Sequence, residues 1–296
     1  MPAEVIDGRK IAAEIQIEIR QNITALKAKG INPKLATILV GEDPASLSYL
    51  RGIGRSCAEV GVLTETVRLP QDATQKELLE KIERLNLNPD VHGMLLLLPL
   101  PKHIDTLEAE SAISPDKDVD GTNPISAGRL LLGEETFFPS TPYGIQELLV
   151  RSGHKPAGKH VVIVGRSNIV GKPLTAILIQ KQKNADATVT VCHTGTKDIA
   201  SITRQADILV AAIGKPKIIT ADMVREGAVV VDVGVNFIAD PATGKNRQVG
   251  DVDFEAVKEK AGAITPVPGG TGAVTSVMLM VNTVKAAERL SRSQAY

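Results

Sequence analysis

Tryptophan is absent, and only three tyrosines and four phenylalanines occur in 296 residues. A surface that stacks nucleic-acid bases needs aromatic rings, so this scarcity disfavours such a role. No charge of one sign prevails either. The 34 Lys and Arg balance 34 Asp and Glu, which argues against a face built for phosphate backbones or anionic membranes. That balance leaves room for a local basic pocket holding one small anion. Cysteine is limited to Cys57 and Cys192, far apart and in no ligand spacing. Neither a disulfide framework nor a metal site is expected, and a reducing compartment fits. Long hydrophobic runs are also missing: residues 94–98 are typical and far too short to span a bilayer. Residues 1–20 interleave charges with apolar side chains, the pattern of an amphipathic helix and not of a signal peptide. A soluble cytoplasmic protein is the expectation.

What is present is enough for a packed core, since 43% of residues are hydrophobic, and the length suits two α/β domains. Ile11, Ile15, Ile19, Ile23 and Leu26 recur at three-to-four spacing, which makes one helix face, and Gly30 stops it. Strands expected at 35–40, 62–69 and 94–98 alternate with helices at 46–60 and 74–85. Thr74 and Glu77 form the pattern of a capping box. This order implies a parallel sheet covered on both faces. Residues 114–142 are rich in Pro, Gly, Asp and Thr and read as a junction with short helical pieces. A second series follows, with strands at 160–164, 188–192, 208–212 and 229–233 and helices around 172–183, 198–203 and 221–224. A Pro/Gly-rich loop at 265–272 precedes a last helix from 273 to about 289.

The strand at 160–164 runs into Gly165-Arg166-Ser167-Asn168-Ile169-Val170-Gly171-Lys172-Pro173. A strand, a glycine turn and a helix start can present backbone N–H groups to a pyrophosphate. The G-x-G-x-x-G spacing is not met, and a glycine pair alone more often marks a βα turn with no ligand. Two features point to a dinucleotide. Arg166 directly follows the glycine, where a guanidinium can grip a 2′-phosphate. The next strand ends in Cys192-His193-Thr194, which offers hydroxyl and imidazole groups, although a loop histidine by itself is usually just solvent-facing. Two further strands end in Ala211-Ala212-Ile213-Gly214 and Val233-Gly234-Val235-Asn236, where small residues allow close backbone approach.

The loop 165–173 resembles the cofactor loop of the methylenetetrahydrofolate dehydrogenase/cyclohydrolase family. So do Asp118-Val119-Asp120-Gly121, Thr265-Pro266-Val267-Pro268-Gly269-Gly270, Pro99-Leu100-Pro101 and residues 231–236, in the family's order over nearly the whole chain. The resemblance implies a folate-side α/β domain over 1–140, with the C-terminal helix 273–296 packed back on it. It implies a Rossmann-like NADP-binding domain over 141–272, a cleft between the two, and a homodimer. NADP is the implied cofactor, with NAD the alternative because Gly195 stands where many members carry a basic residue. Tyr49 and Asp120 would act on the folate, with Pro268, Gly269 and Gly270 forming the cleft wall. Gly165, Arg166, Ser167, Thr194 and Val235 would contact the cofactor. Outside that resemblance, Tyr49 reads as a half-buried helix residue and Asp120 as a turn former before Gly121.

The chain departs from the family at two polar positions. The family has Lys four residues after the helix tyrosine, and here Ile53 follows Tyr49. The family has Gln just before the Leu-Pro segment, and here the position is Leu97. Losing one of two hydrogen-bonded partners strands a buried polar group at about 1–3 kcal/mol, whereas losing both lets Ile53 and Leu97 pack together. Hydride transfer needs alignment and tolerance of a developing cation. Ring opening by water needs proton transfer, which Ile and Leu cannot perform. The expectation is oxidation of 5,10-methylenetetrahydrofolate to the methenyl form, with cyclohydrolase activity weak or absent. The alternatives are a bifunctional enzyme making 10-formyltetrahydrofolate, and a non-catalytic folate- or NADP-binding protein. The loop after Gly270 reads Thr271-Gly272-Ala273-Val274, and Thr122-Asn123 follow Asp120-Gly121, further departures around the folate.

Overall fold

The computed structural model describes residues 2–239 and 246–293. Of the ranges expected above, Met1, residues 240–245 and the last three residues of the C-terminal helix lie outside the described residues. In chain order the first half runs β1 (Glu4–Val5), α1 (Gly8–Lys27), β2 (Lys34–Val40), α2 (Pro44–Val60), β3 (Leu63–Leu69), α3 (Gln75–Leu87), β4 (Gly93–Leu96), α4 (Thr106–Ala112), α5 (Pro124–Leu132) and α6 (Ser140–Arg151). There follow β5 (His160–Val164), α7 (Gly171–Leu178), β6 (Thr188–Cys192), α8 (Ile199–Thr203), β7 (Ile208–Ala211), a 3-10 turn (Ala221–Met223) and β8 (Val229–Asp232). The chain ends with β9 (Asn236–Ala239), β10 (Asn246–Val249), α9 (Phe254–Lys258), β11 (Ala263–Ile264) and α10 (Thr271–Ser293). Two compact units result. One joins Met1–Ala13 to Thr141–Thr275, and the other joins Glu14–Ser140 to Ser276–Tyr296.

The second of these holds a three-stranded parallel sheet in the order β3-β2-β4. The central strand β2 is apolar along most of its length and buried from Leu35 to Val40, as a strand covered on both faces must be. Asp43 caps α2, its carboxylate accepting from Ser46 N at 2.8 Å, with Pro44 in the first turn, where its missing N–H costs nothing. The capping box at Thr74 and Glu77 is formed in both directions, so α3 starts where its sequence indicates. Residues 117–120 lie along β4: Met94 N donates to Lys117 O at 2.7 Å, and Met94 bridges Asp118 in parallel. Lys117 reaches the C-terminal end of α3, where Nζ donates to Leu85 O and Asn88 O at 3.0 and 2.7 Å, a favourable place for a cation. Asn282 of α10, 1% exposed, donates to Val119 O and Phe138 O, both at 2.8 Å. These bonds tie the 117–120 segment to its own unit from three elements.

The other unit has six parallel strands in the order β1-β11-β8-β7-β5-β6. Its core is a continuous set of Val, Ile, Leu and Ala from β5, β7, β8 and β11. The chain starts at β5, goes outward to β6, then crosses to β7 on the other side. The winding direction therefore reverses between β5 and β7, the topological switch point at which ligands of such sheets bind. β9 and β10 form a separate antiparallel pair.

The four expected strands of this sheet are present, each within one residue of both predicted ends. β1 and β11 are two residues each, too short to carry a period, and β1 pairs with β11 although the sequence reading put residues 1–140 together. The junction at 114–142 contains α5 and the start of α6. The helix expected at 172–183 stops at Leu178.

Candidate functional site

Two groups of predicted residues form, one in each unit. In the three-stranded unit, Tyr49 and Ile53 sit one turn apart on α2, but their surroundings differ: Tyr49 is 43% exposed and Ile53 2%. Leu97, just past β4, is also 2% exposed, and its N–H donates to Ile38 O at 2.9 Å. Both aliphatic positions are therefore core-like. Asp120 is held by Ser140 Oγ, which donates to its Oδ1 at 2.8 Å. Burial, reinforced by the charge of Asp118, outweighs that bond and lifts the Asp120 carboxyl from 3.8 to about 6. Burial and the Asp120 charge push the Tyr49 phenol well above its ordinary value. Near neutral pH this pair is thus a carboxylate with high proton affinity beside a phenol that keeps its proton.

Two more acids share this neighbourhood and were not singled out from the sequence. Asp118, 1% exposed, accepts from Thr122 N at 3.1 Å and Asn123 N at 2.9 Å, and burial raises its carboxyl. Glu110 of α4 is raised by burial, then by the charges of Asp118 and Asp120. Three acids in one field favour a positively charged or N–H-donating ligand. Among the described residues, no group of three or more His, Cys, Asp and Glu side chains is placed to hold a metal ion.

In the six-stranded unit the predicted residues lie past the C-terminal ends of its strands. Gly165 ends β5 at φ 138°, and a Cβ there would run into Ala212 O at the end of β7. Only glycine fits this close approach at the switch point. Arg166 and Ser167 follow, both exposed, and Ser167 closes the turn: its Oγ accepts from Val170 N at 3.1 Å and its carbonyl from Lys172 N at 3.1 Å. α7 starts at Gly171, so a helix N-terminus follows the turn. Thr194 is exposed past β6, and Val235 is 57% exposed past β8. Pro268, Gly269 and Gly270 follow β11, with a cis Val267–Pro268 peptide and Gly270 against Gly8 at the start of α1.

Sequence reasoning missed two buried acids that brace these turns. Asp232, 3% exposed, ends β8, and Asp251, 0% exposed, follows β10. Asp232 lies inside a quoted motif without a role. Asp251 stands outside every quoted motif, and its Gly-Asp step directly after β10 is the local signal.

Comparison with known proteins covers both units. The family profile described as tetrahydrofolate dehydrogenase/cyclohydrolase, catalytic domain, matches residues 6–120, and that described as its NAD(P)-binding domain matches residues 139–291. The chain is 58% identical to the Bifunctional protein FolD of Dehalococcoides mccartyi (strain CBDB1), over 98% of each chain. Among solved structures it resembles the bifunctional FolD methylenetetrahydrofolate dehydrogenase/cyclohydrolase of Campylobacter jejuni, at 45% identity and TM-score 0.91, over 97% of this chain and 99% of that one. It also resembles the Trypanosoma brucei N5,N10-methylenetetrahydrofolate dehydrogenase-cyclohydrolase complexed with NADP cofactor and inhibitor, at 40% identity and TM-score 0.91, over 99% of each chain. Matches of this identity along the full length, on the same two domains, leave one assignment: the chain belongs to the tetrahydrofolate dehydrogenase/cyclohydrolase family.

Proposed function

We propose that the protein oxidises 5,10-methylenetetrahydrofolate to the methenyl form with NADP. The observation that carries this reading is the Gly165 turn at the switch point of the six-stranded sheet; the buried Asp120 carboxylate of the other unit, taken by itself, supports the folate side. Bound NADP supplies the hydride acceptor. The Gly165 turn leads into the N-terminus of α7, whose backbone N–H groups suit a pyrophosphate, Ser167 and Thr194 offer hydroxyls, and the exposed Arg166 guanidinium suits a 2′-phosphate. Asp120 accepts from the N–H groups of the pterin, and those donors favour its ionised form. Its charge, with Asp118 and Glu110 behind it, also offsets the cation left on the folate as hydride departs. Tyr49 keeps its proton and is the aromatic side chain on offer to the ring system; within the six-stranded unit, Pro268, Gly269 and Gly270 are assigned to the nicotinamide. A homodimer through the six-stranded unit belongs to the same reading, supported by the open edge strand β6.

Hydrolysis of the methenyl product is the point at which the expectations part. Relatives named as bifunctional, matching along the full chain, support a second activity here as well. In that reading Asp120, with its carboxyl lifted to about 6, is the group able to exchange a proton near neutral pH. The reading in which hydrolysis is weak or absent is favoured by one observation, the buried aliphatic pair Ile53 and Leu97. Purified protein given methylenetetrahydrofolate and NADP separates them. Methenyltetrahydrofolate that accumulates and decays no faster than without enzyme supports a dehydrogenase alone. Consumption in proportion to enzyme supports the bifunctional reading, and absence of reduced cofactor with NADP or NAD refutes both.

A further inference from the structure

Asp251 belongs to no motif that the family reading used, yet it is among the most completely enclosed acids of the six-stranded unit. Its Oδ2 accepts from Ile213 N at 2.6 Å and Gly214 N at 2.8 Å, in the turn past β7. Its Oδ1 accepts from Asn236 Nδ2 at 2.9 Å, past β8 and next to Val235. A Cβ on Gly234 would strike this carboxylate, so the turn past β8 closes directly over it. Behind Asp251 stands Asp232. Its Oδ1 accepts from Gly234 N and Asp251 N, both at 2.9 Å, and its Oδ2 from Val252 N at 3.0 Å. The Asp232 backbone reaches the loop past β11, its N–H donating to Thr265 Oγ1 and its carbonyl accepting from Thr271 Oγ1, both at 2.8 Å.

These bonds join three strand ends at the C-terminal edge of the sheet. These turns share one buried carboxylate, and two N–H groups on a single carboxylate oxygen fix the first of them. The turn past β7 abuts Gly165 through Ala212, and the turn past β8 carries Val235. We propose that Asp251 is a positioning residue for the dinucleotide: its carboxylate sets the turns past β7 and β8 in the geometry that receives the cofactor. This inference rests on the cofactor reading above and adds to it a residue that need not touch the ligand.

The test compares wild-type protein with Asp251→Ala, Asp251→Asn and Asn236→Ala. NADP affinity is measured by calorimetry, and hydrogen exchange of the Ile213 and Gly214 amides is measured in NADP-free protein. Asp251→Ala should weaken NADP binding at least tenfold and speed exchange at both amides at least tenfold. The KM for NADP should rise while that for the folate substrate stays within twofold, a split that general loosening of the fold would not produce. Asp251→Asn should stay within about threefold of wild type, because its oxygen can still face Ile213 and Gly214 once the Asn236 amide turns over. Should Asp251→Ala fail to fold, Asn236→Ala removes one arm of the clamp and should weaken NADP two- to fivefold. A folded Asp251→Ala with wild-type affinity or slow exchange overturns the proposal, and so does an Asp251→Asn as impaired as Asp251→Ala. Wild-type protein that binds no NADP overturns the cofactor reading itself, and this inference with it.

Discussion

Replacing Asp120 by Asn should make the protein more stable at neutral pH while removing its grip on the folate. The carboxyl is lifted from 3.8 to about 6 by burial, with the Asp118 charge adding to it and Ser140 only partly compensating. An ionised group raised by about two decades is unfavourable by roughly 3 kcal/mol at most, at about 1.4 kcal/mol per decade. Relaxation and water access reduce this, so an increase of about 1–2 kcal/mol in unfolding free energy at pH 8 is expected. Asn keeps an Oδ1 acceptor for the Ser140 hydroxyl. The sign follows from linkage. Between about 4 and 6 the folded protein holds the proton more tightly than the unfolded chain, so the wild type loses stability as pH rises through that window. The advantage of Asp120→Asn should therefore be small at pH 4 and full above pH 7. Urea unfolding of both proteins at pH 4.5, 6 and 8, alongside binding of tetrahydrofolate, measures it. A variant no more stable than wild type at pH 8, or a gap that does not shrink with acid, would show that Asp120 is not held ionised against its environment.

Arg166→Ala should weaken NADP about tenfold or more while leaving NAD within twofold, measured by titration with each, since a charge-assisted bond to a 2′-phosphate contributes about 1.5–3 kcal/mol. Asn282→Leu should lower unfolding free energy by about 2–4 kcal/mol in thermal or urea melts, because Val119 O and Phe138 O would both lose a buried donor. The double substitution Ile53→Lys with Leu97→Gln should introduce or raise hydrolysis of methenyltetrahydrofolate if those positions limit it. An unchanged rate in folded double mutant would move the cause elsewhere.

Much of the architecture was legible because it repeats. Strand–helix alternation at 160–164, 188–192 and 208–211 and the capping box at Thr74 depend on neighbours within a few residues, which any reader of the chain has in hand. Gly165 and Arg166 were legible for the same reason, since the turn follows its strand directly. Asp120 was legible only as a member of a motif. Its high proton affinity was not, because that depends on Ser140, Asp118 and the protein that buries it.

The order of residues alone thus determined the two α/β series, the position of the glycine turn and the types of side chain available at each strand end. Periodicity, caps and turn chemistry act over one or two turns of chain and need no knowledge of what packs against them. Tertiary structure alone decided what those side chains became. It paired β1 with β11 across more than 250 residues of chain, buried Ile53 while leaving Tyr49 half out, and turned Asp251 into a clamp on Ile213, Gly214 and Asn236. Burial and partner choice are set by elements distant in sequence, and they govern both the charge that a carboxyl carries and the backbone that it holds.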